Sequence, residues 1–126
     1  MEYKYSRNFN PPAPIVELSI AAPLSNASTS STALVDSGAD ITVIPERAIS
    51  QLKLRRVDSM LASGFGKGVI EATVYSAILS VEGILKPKIY RILRWDEDYA
   101  LLGRDLLNQL IAMLNGPSEE LSLREA

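Results

Sequence analysis

Leu34-Val35-Asp36-Ser37-Gly38-Ala39-Asp40 is the stretch on which the reading of this chain turns. An acid set between two apolar residues and a Ser-Gly turn is partly withdrawn from water, so its surroundings can fix its geometry and its chemistry. The same Asp-Ser-Gly also suits an Asx-type turn that merely joins two strands. The flanking segments have to decide between the two.

On its N-terminal side, Thr32 to Val35 is a short apolar run; on the other, Ile41, Thr42, Val43 and Ile44 resume β-branched character, which gives strand, turn, strand. Earlier still, Val16, Leu18 and Ile20 alternate with Glu17 and Ser19, the period of a half-buried strand. Residues 1–14 are polar and aromatic and end in Asn10-Pro11-Pro12-Ala13-Pro14, which resists helix, so they form an extended arm ahead of a folded domain over 15–126. Pro45 at a first helical position predicts a helical turn of undetermined length.

Arg55 to Leu61 and Val69 to Val81 are strand candidates, separated by a tip in which Gly64, Gly66 and Gly68 allow free bending. A further strand runs from about Lys86 to Arg94. After the loop from Trp95 to Tyr99, Ala100 to Leu102 form a short buried strand. Arg104 to about Leu110 reads as helix, because Leu106, Leu107 and Leu110 make one apolar stripe. Ile111 to Leu114 and Leu121 to Leu123, either side of Asn115-Gly116-Pro117, predict a terminal hairpin. Many short strands and one late helix argue for an all-β fold, a small barrel or sandwich.

Composition narrows the chemistry. At 126 residues the chain supports one core, and 47% apolar residues are enough to pack it. A formal net charge of −2 gives no positive field for nucleic acid or anionic lipid, so neither is an expected partner. With no Cys and no His, disulfides, thiol nucleophiles, Ser-His-Asp triads and ordinary zinc sites fall away, leaving carboxylates as the acid/base groups and no metal or cofactor implied. The opening residues Met1 to Tyr5 lack the apolar stretch of a secretory signal, which predicts a soluble, cytoplasmic protein.

Over roughly Ile15 to Leu110 the chain resembles the retropepsins, the retroviral-type aspartic proteases and their cellular relatives. Asp36-Ser37-Gly38-Ala39-Asp40 is similar to their catalytic loop, with Ser where Thr is commoner. Ser63 to Gly68 is similar to their mobile flap, and Leu101-Leu102-Gly103-Arg104-Asp105-Leu106-Leu107 to the segment that opens their single C-terminal helix. The resemblance implies a homodimeric acid-protease barrel that hydrolyses peptide bonds. Asp36 would be catalytic, Ser37 and Gly38 would support its loop, and Asp40 would pair with Arg104. Ala39, Asp40, Gly64, Phe65, Gly66, Leu34, Val43, Tyr99 and Leu101 would meet the substrate, with apolar preference at the cleaved bond.

Two carboxylates held at one water share a proton and so supply both acid and base, and one such loop per chain makes a two-fold partner the source of the second Asp36. Asp105, at a helix start, reads as structural. Asp96, Glu97 and Asp98 read as a solvated loop. The terminal hairpin is the expected dimer surface, and the arm could either join that sheet or lie across the cleft. A catalytically silent retropepsin-fold dimer that binds peptides is the alternative.

Overall fold

The alternation in Ile15–Ala21 (β2) is obeyed residue by residue: Val16, Leu18 and Ile20 are buried, while Glu17 and Ser19 face solvent. The computed structural model describes residues 1–64 and 66–126. Ser28–Val35 (β3) returns antiparallel to β2, after which Val43–Pro45 (β4) leads into the helix Glu46–Leu52 (α1). Pro45 caps that helix with extended φ and ψ of −61° and 143°, one position before its first turn. Ala48, Ile49 and Leu52 turn one side of α1 into the core, which makes it an amphipathic helix of seven residues.

Arg56–Ala62 (β5), Ile70–Val81 (β6) and Leu85–Trp95 (β7) form an antiparallel meander, followed by Ala100–Leu102 (β8). The sheet order is β2-β3-β8-β4-β7-β6-β5 with β6 also paired to β2. That extra pairing closes six strands into a barrel and leaves β5 outside it, attached among the described residues to β6 alone. The twelve residues of β6 therefore serve two structures, with its first half in the β5–β6 hairpin and Ile78 to Ser80 against β2 in the barrel wall. At the hairpin tip Gly64, Gly66 and Gly68 have φ of 97°, 74° and 71°, conformations that a side chain disfavours.

The C-terminal helix is shorter than its leucine stripe predicts. It spans Arg104–Leu107 (α2), and Leu110 belongs instead to the strand Leu110–Asn115 (β9), which pairs with Glu120–Glu125 (β10). Only Leu106 of that stripe is fully buried in the helix, because one turn suffices to redirect the chain.

The arm joins this terminal sheet. Glu2–Lys4 (β1) pairs antiparallel with β10, giving the order β1-β10-β9, and Arg7 clamps Glu119 through Nε at 3.1 Å and Nη2 at 2.8 Å. Leu121 and Leu123 of β10 are fully buried among the barrel side chains, each contributing about 1.5–3 kcal/mol of apolar burial. Among the described residues no helix is long and apolar enough to cross a membrane.

Candidate active site

Strands β3 and β8 run parallel, Ala33 beside Ala100 and Val35 beside Leu102, so both release their next residues at the same end of the barrel. From β3 comes Asp36, whose backbone N–H donates to Leu102 O at 3.1 Å; from β8 come Gly103 and Arg104. The loop then tightens, with Ala39 N–H donating to Asp36 O at 3.2 Å and Gly38 N–H donating to the carboxylate Oδ1 at 2.9 Å. A Cβ on residue 38 would lie 3.1 Å from Oδ1, so glycine keeps that oxygen uncrowded. Ser37 and Gly38 are exposed at the crest of the turn, with the Asp36 side chain half-buried beneath them.

Arg104 braces this crest from α2. Its Nη1 donates to Ser37 O at 2.7 Å while Nη2 pairs with Asp40, so one guanidinium fork spans the loop from both sides. Beneath Arg104 lies a buried polar knot. Thr42 Oγ1 donates to Asp105 Oδ1 at 2.7 Å and accepts from Gly103 N–H at 3.0 Å, while Thr42 N–H donates to Asp105 Oδ2 at 3.0 Å. Asp105 Oδ1 also accepts from its neighbour Leu106 N–H at 3.0 Å. Gly103 passes so close to the outgoing strand that a Cβ would meet Ile41 C at 2.8 Å and Ala39 O at 3.0 Å. The Asp36 loop and the α2 start are thereby locked to one another through backbone contact as well as side chains.

A cleft of about 400 Å³ opens beside Asp36, between the loop and the β5–β6 hairpin. Of the residues singled out in the sequence, Asp36, Gly38, Ala39, Asp40, Val43, Gly64 and Leu101 line it together. Leu34 and Tyr99 do not. Leu34 lies half-buried in β3 next to Leu101, and Tyr99 stands behind the wall. Gly66 is exposed further along the hairpin tip, and Phe65 lies outside the described residues.

Trp95 is the lining residue that the sequence reading assigned only to a loop. Its indole N–H donates to Tyr99 O at 2.7 Å and its ring stands edge-on to Tyr99 at 5.3 Å, which turns it into the cleft wall with Leu93. Of the acidic triplet, Asp98 pairs with exposed Arg47 at 3.1 Å, and Asp96 and Glu97 border a neighbouring cavity of about 480 Å³. Among the described residues no group of His, Cys, Asp or Glu could hold a metal ion.

The retroviral aspartyl protease family profile matches residues 11–115. A search of curated proteins gives no match. Among solved structures, the chain is similar to the simian foamy virus (mac) protease, at 26% identity and a TM-score of 0.53 over 73% of this chain and 89% of that one. It is also similar to the EIAV protease in complex with the inhibitor HBY-793, at 24% identity and a TM-score of 0.55 over 84% and 92% of the two chains. A retropepsin-like aspartic protease from Rickettsia conorii overlays with a TM-score of 0.57 at 18% identity, over 96% of this chain and 97% of that one. At those identities the latter two speak to the fold alone. Closed barrel, parallel strands delivering an Asp-Ser-Gly turn, and a profile match across most of its length agree: the chain belongs to the retroviral aspartyl protease family.

Proposed function

We propose that this chain is an aspartic endopeptidase that works as a homodimer, with the Asp36 carboxylates of two copies activating one water between them. The observation that carries the reading is the state of the two carboxylates among the described residues lining the cleft. Asp40 is committed to Arg104, so Asp36 alone is available, on an outward-facing crest. Hydrolysis by carboxylates needs an acid and a base together. A two-fold copy meeting this one at Ser37 and Gly38 supplies the second.

In that arrangement the ionised Asp36 accepts a proton from the water as its oxygen bonds to the scissile carbonyl carbon, and the protonated Asp36 of the other copy gives its proton to the carbonyl oxygen. The resulting gem-diol collapses as the Asp36 that took the water's proton passes it to the leaving nitrogen, the C–N bond breaks, and one gem-diol hydroxyl gives its proton back to the dyad, which again holds one shared proton. Ser37 braces the paired loops across the axis, and the glycine-rich β5–β6 tip closes over the peptide as a flap. Val43, Leu93 and Leu101 give the cleft an apolar wall, which favours apolar side chains beside the cleaved bond. The pairing surface is the outer edge of β9, a strand paired with β10 on its other side, where Ile111, Met113 and Leu114 are 44%, 63% and 57% exposed.

The test is cleavage of a quenched peptide library at mildly acidic pH, which favours a proton shared between two carboxylates, across a dilution series and with Asp36→Asn alongside. A homodimeric aspartic protease loses activity faster than linearly on dilution and loses it roughly 10²-fold or more in Asp36→Asn. Wild type and Asp36→Asn cleaving equally would reject the reading.

A further inference from the structure

Two cavities meet at Trp95. The cleft beside Asp36 and the 480 Å³ cavity beyond it have only Trp95 and Gly64 in common among their described lining residues. Gly64 has no side chain, so the indole is the partition between them. On the cleft side it packs with Val43, Leu93 and Leu101.

The partition is anchored from outside the barrel. Trp95 donates its indole N–H to Tyr99 O at 2.7 Å, and its ring stands at 79° to that of Tyr99. Tyr99 in turn meets the ring of Phe9, centroid to centroid at 5.0 Å and at 85°. Edge-to-face pairs of this kind prefer one geometry over others and so transmit position along the row. Phe9 belongs to the N-terminal arm, in a loop closed by Ser6 N–H to Ala13 O at 2.8 Å and Ala13 N–H to Ser6 O at 3.1 Å, just beyond the Arg7–Glu119 pair. An arm held to the terminal sheet thus reaches the substrate cleft through three aromatic rings.

We propose that Trp95 sets the size of the substrate side chain accepted at the Val43–Leu93–Leu101 end of the cleft, and that Phe9, through Tyr99, is a positioning residue for it. The proposal rests on the cleft being the peptide site. With Trp95 in place the subsite ends at the indole, and branched aliphatic side chains fill it. Removing the indole joins the two cavities and lets larger side chains through. Displacing Phe9 loosens Tyr99, lets the indole tilt, and blurs the same discrimination.

The test uses the full chain in an Asp36→Asn background, so that binding is read without hydrolysis. Dye-labelled peptides that differ only in carrying Val, Leu or Phe at the position next to the cleaved bond are titrated by fluorescence anisotropy. Trp95→Ala is expected to shift the Phe-to-Val affinity ratio at one such position by about tenfold or more, the scale on which apolar pockets discriminate by size. Phe9→Ala is expected to move the ratio in the same direction by less, and to shift Trp95 emission to the red. That emission is unambiguous because the chain has a single tryptophan.

Phe9→Tyr, which keeps a ring edge against Tyr99, should restore both readings; a purely structural role for Phe9 would change the melting temperature and leave the ratio unmoved. An unchanged ratio in Trp95→Ala overturns the partition, and an unchanged ratio or emission in Phe9→Ala overturns the role of the arm. Failure of the wild type to cleave any peptide would instead reject the proposed activity and leave the binding ratios standing.

Discussion

Replacing Thr42 by valine keeps the shape of a fully buried side chain and removes one oxygen, and the structure says what that oxygen holds. Oγ1 donates to Asp105 Oδ1 at 2.7 Å and accepts from Gly103 N–H at 3.0 Å. In Thr42→Val the buried Gly103 N–H loses its partner, which costs about 1–3 kcal/mol, and a hydrogen bond to a charged group, worth about 1.5–3 kcal/mol, disappears. The added methyl returns a little under 1 kcal/mol of burial, leaving a net loss of about 2–5 kcal/mol. Thr42→Ser keeps the oxygen and loses one methyl, for about 1 kcal/mol.

Apolar burial alone would rank valine above serine, so the order of the two variants is diagnostic. Urea unfolding at fixed protein concentration should show the midpoint falling much further in valine than in serine at unchanged slope. Peptide cleavage should fall in the same order, because the knot carries Arg104 and Arg104 carries the Asp36 loop. Valine as stable as wild type, or more stable than serine, would refute the reasoning.

Gly103→Ala is expected to cost about 1–3 kcal/mol by urea unfolding, because its Cβ would meet backbone atoms of Ile41 and Ala39 that no rotamer change can clear. Arg104→Lys keeps the charge and loses the fork that joins Ser37 O to Asp40; melting temperature should barely move, since the pair is exposed, while kcat/KM falls roughly tenfold or more as the loop loosens. The Asp58 carboxyl is held below its usual range by the Ser59 backbone N–H and by Arg91. A carboxylate with a depressed folded pKa stabilises above its unfolded value of 3.8 and ceases to do so as pH falls through the folded value. Asp58→Asn should therefore be slightly less stable than wild type at neutral pH and equal to it in strong acid, read from paired thermal melts.

Local pattern was enough where one segment meets one environment. The in-out alternation of Val16, Leu18 and Ile20 and the positive-φ glycines at 64, 66 and 68 were readable in the chain, whereas the Asp40–Arg104 pair was implied only by the resemblance. What was not readable depends on residues brought together by topology. The leucine stripe after Arg104 satisfies a helix and a strand equally, and pairing of Leu110 with Glu125 settles it as strand beyond Leu107. Trp95 is the last residue of β7, which pairs in parallel with β4, and that register, rather than anything in its neighbourhood of charged residues, places it beside the cleft. The Thr42–Asp105 knot joins residues 63 apart in the chain. Its one sequence clue is the polar Thr within Ile41 to Ile44, an anomaly in a buried run that a buried partner explains.

The pairing of β1 with β10 also governs when the core can be completed. Met1 N donates to Leu123 O at 2.6 Å across 122 residues of chain, and the strand it secures inserts Leu121 and Leu123 into the barrel interior. Contacts at such separation close a very long loop and so form late. During synthesis the barrel would stay unsealed on that side until β10 has emerged, exposing apolar surface for the whole interval. Refolding rates should accordingly respond far less to Leu123→Ala than unfolding rates do, since that side chain docks after the barrel has formed.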